Sequence, residues 1–268
     1  MDFTYEFFSK GFFGYSDTQD FSYFTLAHFL PIILLGVAIY LVYRYKDKLR
    51  DWKWEENFRF ILGVVVMFNE FCYYWRLLYV GNANSGDQLI TYLPLQVCEW
   101  SAYVCAFMLM KKSKHLYDIL FYVSLTLGII PLVTPAVIMF AGPGYFRYYQ
   151  FWLEHLLPIF AIFYMMFVHG FKPDFRKVYK PFAMLVVLAS LAIIANFNIE
   201  GANFMYLAST TDGDSIANIL PPNVWLRVLI GLGLVTVLFT IVSLPQIISE
   251  IKGKKSIKCE QPIPESNE

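Results

Sequence analysis

Charged residues are scarce in this sequence. Asp, Glu, Lys and Arg make up 16% of the 268 residues, against about a quarter in a soluble domain, whereas 57% are hydrophobic and the mean hydropathy is +0.49. The formal net charge is zero, so the chain lacks the excess of positive charge with which proteins bind nucleic acid. The composition predicts an integral membrane protein whose partners are membrane lipids and not nucleic acid.

Cysteine and histidine are also rare, with four residues of each type and no CxxC pair. A seven-span zinc hydrolase needs about three histidines and an acid, but only His28 and His155 lie deep in apolar stretches. A retinal receptor needs a lysine in its last span, and 224–248 contains none. A phosphate-binding glycine loop is also missing. The sequence therefore predicts neither a metal site nor a cofactor.

Apolar stretches of about 20 residues, the length that crosses a bilayer as a helix, recur along the chain. Seven spans are predicted, at 22–43, at 57–79, at 89–110, from about 116, at 148–168, at 182–198 and at 224–248. The fourth contains Gly128, Pro131 and Pro135, which predict an interrupted helix. The expected fold class is all-α, a polytopic membrane protein with a seven-transmembrane-helix bundle over 22–248.

The positions of Lys and Arg predict the orientation of this bundle. Of the 21 such residues, 17 lie in alternate connections and in the C-terminal tail. The opposite connections hold Lys10 and Arg147, and the spans hold Arg76 and Arg227. Because positively charged loops stay in the cytoplasm, the N-terminus is expected outside and the C-terminus inside.

Two segments flank the predicted bundle. Residues 1–21 are aromatic and lack the basic start and the cleavage site of a signal peptide, so we expect an interfacial N-terminal arm. Residues 249–268 are expected to form a polar cytoplasmic tail whose lysines meet anionic lipid. The predicted location is the cell membrane, as a multi-pass protein.

Polar side chains lie deep in the predicted spans, where each costs several kcal/mol unless it is paired or hydrated. At about 1.5 Å per helical residue, a set from four spans lies roughly 9 to 15 Å below their outer ends. The set comprises His28, Glu70, Cys72, Gln96, Cys98, Glu99, Glu154 and His155. Arg76 and Arg227 lie nearer the outer surface. The shared depth predicts a polar pocket that opens outward.

Cys98 and His155 are the candidate catalytic pair. A thiol becomes a nucleophile when a base or a positive charge stabilises its thiolate, and a carboxylate can orient that base. Glu99 or Glu154 is the candidate orienting group. The alternatives are a packed thiol or a disulfide with Cys72, and ordinary interhelical hydrogen bonds for the other groups. The candidate substrate-binding residues are His28, Asn69, Glu70, Arg76, Gln96, Glu154, Asn203 and Arg227.

Three short motifs carry a family resemblance. They are Leu-Pro-Leu-Gln-Val-Cys at 93–98, the aromatic stretch that ends in Glu154 and His155, and Gly-Ala-Asn-Phe-Met-Tyr-Leu at 201–207. With them the sequence resembles the bacterial YwaF-like integral membrane proteins. That family is distantly similar to a mammalian acyltransferase, which uses a cysteine and a histidine to move acyl chains between phospholipids and make ether-linked phosphatidylethanolamine. The resemblance implies lipid acyl chemistry and a role for His155.

The sequence departs from the mammalian pattern at the cysteine. In that enzyme the cysteine directly follows the proline of the third-span motif, whereas here Leu95 follows Pro94 and Gln96 replaces the next histidine. Cys98 lies three residues past Leu95, on nearly the same helix face. We therefore expect Cys98 to take the place of the missing thiol.

The predicted function is that of a phospholipid acyltransferase or acyl hydrolase that uses Cys98 and His155. The alternative is a permease, or a substrate-binding membrane subunit, for a small polar solute. In that case the solute or a proton would contact Glu70, Arg76, Glu99 and Arg227. A third alternative is a structural membrane protein without catalytic activity.

Overall fold

The computed structural model describes residues 11–76, 93–135, 138–208 and 221–259, with side chains as far as residue 251. Throughout these ranges the chain forms helices, turns and loops, without a strand, which confirms the all-α class. The main helices are α1 (Leu26–Arg50), α2 (Glu55–Arg76), α3 (Val97–Lys111), α4 (Lys114–Thr126), α5 (Phe146–His169), α6 (Tyr179–Asn198) and α7 (Val224–Cys259). The predicted end of the second span and start of the third span lie outside the described residues.

Five helical stretches are long and apolar enough to cross a membrane. They are Leu26–Arg50, Lys114–Val133, Phe146–His169, Phe175–Asn198 and Val224–Ile251. In α1 and α7 only 11% of the apolar stretch is buried inside the molecule, and such continuous exposed apolar surface suits contact with lipid. The chain is therefore a multi-pass membrane protein.

The other two main helices, α2 and α3, are not among the stretches that are long and apolar enough to cross a membrane. α2 carries charged residues at both ends and Glu70 in its second half. α3 has 15 residues, which at about 1.5 Å per residue is shorter than a bilayer core of about 30 Å. A total of seven spans, and their orientation, stay predictions.

The third predicted span begins later than expected. Gln96 is the N-cap of α3 with extended backbone angles, and Leu93 to Leu95 are not helical. Pro94 explains the delay, because a proline disfavours the helical conformation of the residue before it. Gln96 and Glu99 then begin the helix with a reciprocal capping box. The polar residues of this stretch therefore lie at a helix N-terminus and not within a continuous helix.

The predicted interruption of the fourth span is confirmed. α4 ends at Thr126, a 3-10 turn follows at Leu127–Ile129, and a short helical turn at Ile130–Val133 holds Pro131 near its start. Proline tolerates the first turn of a helix because its missing N–H would have no partner there. The chain thus reaches Val133 as a succession of helical segments and not as one regular α-helix.

Two central helices position the rest of the bundle. α5 contacts α1, α2, α3 and α4, and α3 contacts α2, α4 and α5. The main apolar core lies between these helices and includes Val66, Cys105, Leu109, Tyr122 and Ile162. α6 and α7 pack against α4. Side chains at the N-terminal ends of α3 and α5 therefore meet one another inside the bundle.

The described part of the N-terminal arm packs across the ends of these helices. Phe12 O accepts a hydrogen bond from Phe146 N at 2.7 Å, and Asp20 N and Phe21 N donate to Met139 O, each at 3.0 Å. Phe21 is 1% exposed. Residues 11–25 thus cover the end of the bundle at which α3 and α5 begin. A location at the membrane interface stays a prediction.

Candidate functional site

Three predicted site residues come together between α3 and α5. The thiol of Cys98, a carboxylate oxygen of Glu154 and a ring nitrogen of His155 all lie within 4.8 Å of one another. Glu154 and His155 are buried, whereas Cys98 is partly exposed. The cluster thus combines a thiol with a base and an acid that the helices hold in place.

The imidazole of His155 is oriented by its own helix. Its Nδ1 lies 2.8 Å from the carbonyl oxygen of Phe151, one turn earlier in α5, and the two rings are 4.4 Å apart between centroids. A carbonyl oxygen can only accept, so Nδ1 carries the proton in this contact. The Nε2 lone pair is then available to accept a proton or to bind a metal ion.

Glu154 is held by residues one and two turns before it. Its Oε2 accepts from Gln150 Nε2 at 3.1 Å and from Arg147 Nη1 at 3.4 Å. Arg147 also donates to Gln150 Oε1, and its guanidinium lies 4.5 Å above the ring of Tyr73. The other carboxylate oxygen, Oε1, has no part in these contacts. Glu154 therefore presents one oxygen to the cluster while Arg147 balances its charge.

The start of α3 brings Cys98 to the cluster. Gln96 N donates to Glu99 Oε2 at 2.8 Å, which uses Glu99 as a helix cap. Cys98 is the second residue of α3, where the partial positive charge of a helix N-terminus favours an anion. Glu99 was predicted, as an alternative to Glu154, to orient His155. In the structure Glu99 accepts from Gln96 N, while His155 Nδ1 contacts Phe151 O.

Glu70 of α2 faces the same region. It is 0% exposed, and neither carboxylate oxygen has a hydrogen-bond partner among the described residues. Its charge interacts with those of Glu154, Glu99 and Arg147. A fully buried carboxyl without a partner is costly, so Glu70 is suited to bind a proton, a cation or a polar group of a ligand.

Asn69 and Arg76 of α2 attach this helix to its neighbours. Asn69 Nδ2 donates to Gln150 O at 3.2 Å. Arg76 donates to Phe13 O at 2.7 Å, and its guanidinium lies 4.1 Å above the ring of Tyr15. Arg76 thus holds the N-terminal arm over the site, while Asn69 anchors α2 to α5 beside Glu154.

The segment 201–207 closes another side of the site. Met205 N donates to Gln96 Oε1 at 2.9 Å, and Tyr206 O accepts from Arg227 Nη1 at 2.6 Å. Met205 and Tyr206 have positive φ angles of 55° and 54°, which are uncommon for residues other than glycine. Asn203 Oδ1 accepts from Ala208 N at 3.1 Å. Gln96 and Arg227 therefore hold a strained turn beside the start of α3.

Tyr206 lies close enough to the cluster to interact electrostatically with Cys98 and Glu154. Burial raises the pKa of its hydroxyl, and negative charge on Cys98 and Glu154 adds to the shift. The hydroxyl therefore stays protonated at neutral pH and can act as a hydrogen-bond donor.

Two expectations about other residues come out differently. His28 does not join the cluster, because its Nε2 lies 2.8 Å from Leu132 O and its Nδ1 accepts from Phe24 N at 3.1 Å. Both ring nitrogens thus fix the start of α1. The disulfide considered between Cys72 and Cys98 is also wrong, since both are free cysteines.

Arg147 was placed in an outer loop by the sequence, and this is wrong. It lies in the first turn of α5 and is 8% exposed. Gln150 was not predicted either. Arg147, Gln150 and Glu154 are spaced at i, i+3 and i+7, which puts all three on one helix face. This spacing is the sequence pattern that could have identified Arg147 and Gln150 as site residues.

An apolar groove of about 560 Å³ runs beside the bundle. Its lining comprises Trp100, Tyr103, Val104, Phe107, Lys111 and Leu116. Cys98 precedes Trp100 by two residues, or about 200° around a helix, so the thiol faces away from the groove. The groove is therefore distinct from the predicted pocket around Cys98, and the outward opening of that pocket stays a prediction.

The apolar helices and the buried polar cluster define a multi-pass integral membrane protein with a polar site between its helices. The TMEM164 family, a family of membrane proteins, matches residues 23–243, and the chain belongs to it. The match includes every residue of the cluster. No curated protein and no solved structure matches the chain.

Proposed function

We propose that this protein transfers or hydrolyses acyl chains of membrane phospholipids, with Cys98 as nucleophile and His155 as general base. The observation that carries the proposal is the proximity of the Cys98 thiol to His155, whose Nδ1 proton is bound to Phe151 O at 2.8 Å. This leaves Nε2 as the ring nitrogen that can accept the thiol proton, the role of a general base beside a nucleophile.

The reaction proceeds in two steps. His155 Nε2 takes the proton of Cys98, and the sulfur attacks the ester carbonyl of a phospholipid. The sulfur–carbon bond forms, the ester carbon–oxygen bond breaks, and the departing alcohol takes the proton from His155. The hydroxyl of a lysolipid, or water, then gives its proton to His155 and attacks the thioester. The thiolate leaves and recovers the proton.

Some of the surrounding charges support this chemistry, whereas the carboxyl groups of Glu154, Glu99 and Glu70 oppose a negative charge on the sulfur. The helix N-terminus at Cys98 and the guanidinium of Arg147 favour negative charge on the sulfur and on a developing oxyanion. Tyr206 supplies a neutral hydroxyl donor near the thiol. Glu154, paired with Arg147 at 3.4 Å, stabilises the imidazolium that forms on His155. Lipid is the favoured substrate because the site lies within a membrane protein, and because the sequence motifs resemble those of YwaF-like proteins, which are distantly similar to an acyltransferase.

The test uses the full chain in lipid nanodiscs. A phospholipid with a labelled acyl chain and an unlabelled lysophospholipid are supplied, and acyl transfer and free fatty acid are both measured. We expect Cys98→Ala and His155→Gln to lower the rate at least about 100-fold, since removal of a nucleophile or base removes its whole contribution. Wild type should also form an acyl-protein bond that neutral hydroxylamine cleaves.

Cys72→Ala is the matched control, because Cys72 is a free cysteine outside the cluster of Cys98, Glu154 and His155. Normal folding of each variant is checked by its thermal unfolding profile. If turnover and labelling are the same in wild type, Cys98→Ala and His155→Gln, the proposed acyl-transfer function is excluded.

A second candidate function is transport of a small polar solute or cation. The observation that favours it is the fully buried carboxyl of Glu70, which has no hydrogen-bond partner among the described residues. Ionisable groups inside membranes commonly mark solute or proton pathways. An inactive acyl assay, together with a normal fold, would favour this function.

We further propose the arrangement in the membrane on which this function depends. α2 and α3 cross together with the five apolar stretches, in the cell membrane, with the N-terminus outside and the C-terminus inside. The one-sided distribution of Lys and Arg supports this arrangement.

A further inference from the structure

We propose that Cys98, Glu154 and His155 also form a binding site for a soft divalent cation, Zn²⁺ in particular. The proposal goes beyond acyl transfer and does not require it. Its basis is the position of three different ligand atoms, a thiol sulfur, a carboxylate oxygen and an imidazole nitrogen, all within 4.8 Å of one another.

The ligand types and the spacing fit zinc. Zn²⁺ binds cysteine, histidine and carboxylate at about 2.0 to 2.3 Å in a tetrahedral arrangement, so its ligand atoms lie about 3 to 4 Å apart. Side-chain shifts of about 1 Å bring the three groups to that separation. The scarcity of histidine led to the prediction that there is no metal site, but mixed sites of sulfur, nitrogen and oxygen bind zinc as well.

Each of the two buried ligands already has an outer partner that leaves its metal-binding atom available. His155 donates from Nδ1 to Phe151 O at 2.8 Å, which leaves Nε2 as the nitrogen that can bind a metal ion. Glu154 accepts from Gln150 and Arg147 through Oε2, which leaves Oε1 available. Such outer hydrogen bonds orient metal ligands and fix the histidine tautomer.

The charges of the site also favour a cation. A thiolate and the Glu154 carboxylate neutralise a divalent ion. Glu70, fully buried and without a hydrogen-bond partner among the described residues, interacts electrostatically with Glu154 and with Cys98. It therefore adds negative charge beside the three ligands. Arg147, the nearby cation, is already paired with Glu154 and Gln150.

Metal binding and acyl transfer compete for the same atoms. A bound Zn²⁺ takes the lone pairs of the Cys98 sulfur and of His155 Nε2, and a coordinated sulfur is a poor nucleophile. We therefore expect zinc to inhibit the proposed acyl reaction, a consequence that rests on the proposed function, whereas binding itself does not.

The test measures Co²⁺ binding to the full chain in phosphatidylcholine nanodiscs after removal of metal with a chelator. Co²⁺ replaces Zn²⁺ in such sites, and a thiolate–cobalt bond gives a near-ultraviolet charge-transfer band. We expect one cobalt per chain, full displacement by Zn²⁺, no band in Cys98→Ser, and affinity lowered more than about 10-fold in His155→Gln and Glu154→Gln. The double variant Cys72→Ser/Cys259→Ser is the matched control and keeps the band.

X-ray absorption at the zinc edge gives a second measurement on wild type alone. We expect one sulfur at about 2.3 Å together with nitrogen or oxygen neighbours. A missing band, a band that persists in Cys98→Ser, or a zinc environment without sulfur would overturn the proposal. A cobalt band without any acyl transfer would refute the proposed function and leave the metal site standing. Acyl transfer without a cobalt band would support the proposed function and refute the metal site.

Discussion

Single residues in the site depend on one another for their charge balance. Glu154 and Arg147 form an ion pair whose side chains are 5% and 9% exposed, and Gln150 hydrogen-bonds both. A buried charge that loses its partner costs several kcal/mol, whereas replacement of both partners can be nearly neutral. The pair therefore stabilises the start of α5 only as a unit.

We expect Arg147→Met to lower the free energy of unfolding by about 3 kcal/mol or more, because it leaves the carboxylate of Glu154 buried without a cation. The double variant Arg147→Met/Glu154→Gln should recover a large part of that loss. Thermal and denaturant unfolding in detergent micelles measures both.

Arg176→Gln is the control for this prediction. Arg176 pairs with Glu250 at 2.9 Å, but the two side chains are 64% and 41% exposed, so its loss should cost less than about 1 kcal/mol. If Arg147→Met is as stable as Arg176→Gln, the prediction that loss of the buried Arg147–Glu154 pair destabilises the protein is wrong.

At the scale of elements, the site depends on the close approach of α2 and α3. These helices bring Glu70 and Cys98 to the same region, and Gly63 lies at their contact. A Cβ at Gly63 would lie 2.9 Å from Ala106 O and 2.9 Å from Met110 Cγ. The backbone oxygen cannot move away without moving α3, so the glycine sets the distance between the two helices.

We expect Gly63→Ala to destabilise the protein by about 1 to 3 kcal/mol, as overpacking of a tight contact does. It should also reduce acyl transfer, or the cobalt band, at temperatures at which the variant is still folded. Unfolding and activity are measured on the same nanodisc samples.

Gly36→Ala in α1 supplies the comparison, because a Cβ there meets nothing within 4 Å. It should leave both measurements unchanged or raise stability slightly, since alanine favours a helix over glycine. Equal effects of the two substitutions would mean that the approach of α2 to α3 does not position the site.

At the scale of the whole molecule, charged helix ends lie together at the end of the bundle opposite the site. Arg50 at the end of α1 donates from Nε to Val168 O in α5 at 2.7 Å. Glu55 at the start of α2 lies 2.7 Å from His169 Nε2 and accepts from the Tyr164 hydroxyl at 3.0 Å. These contacts join the end of α1, the start of α2 and the end of α5, which is the arrangement that alternating spans require.

The proposed orientation predicts which ends a membrane-impermeant maleimide reaches in intact cells. In a background without the four natural cysteines, Gly144→Cys should be labelled directly, because it lies at the end covered by the N-terminal arm. Lys172→Cys, an exposed position, should be labelled only after permeabilisation. A Cβ at Gly144 meets nothing within 4 Å, so the first substitution fits. The reverse pattern would show the opposite orientation.

The sequence by itself determined the class of the protein and most of its helices. Scarce charge and long apolar stretches leave a helix as the way to satisfy backbone polar groups in lipid, and the interruption at Gly128 and Pro131 follows from local backbone chemistry. Local chemistry also marked Cys98, Glu154 and His155, because polar groups are costly in an apolar setting and so stand out along the chain.

Only the tertiary structure decided which of these groups meet. Spacing along one helix does not specify its rotation against another, so Arg147 and Gln150 were missed at the site, and His28 was included although it fixes the start of α1. Gln96 reaches Met205 across more than a hundred residues, and no local pattern encodes that contact. Packing of α2, α3 and α5 determines the site, because it sets the distances between atoms that the chain keeps far apart.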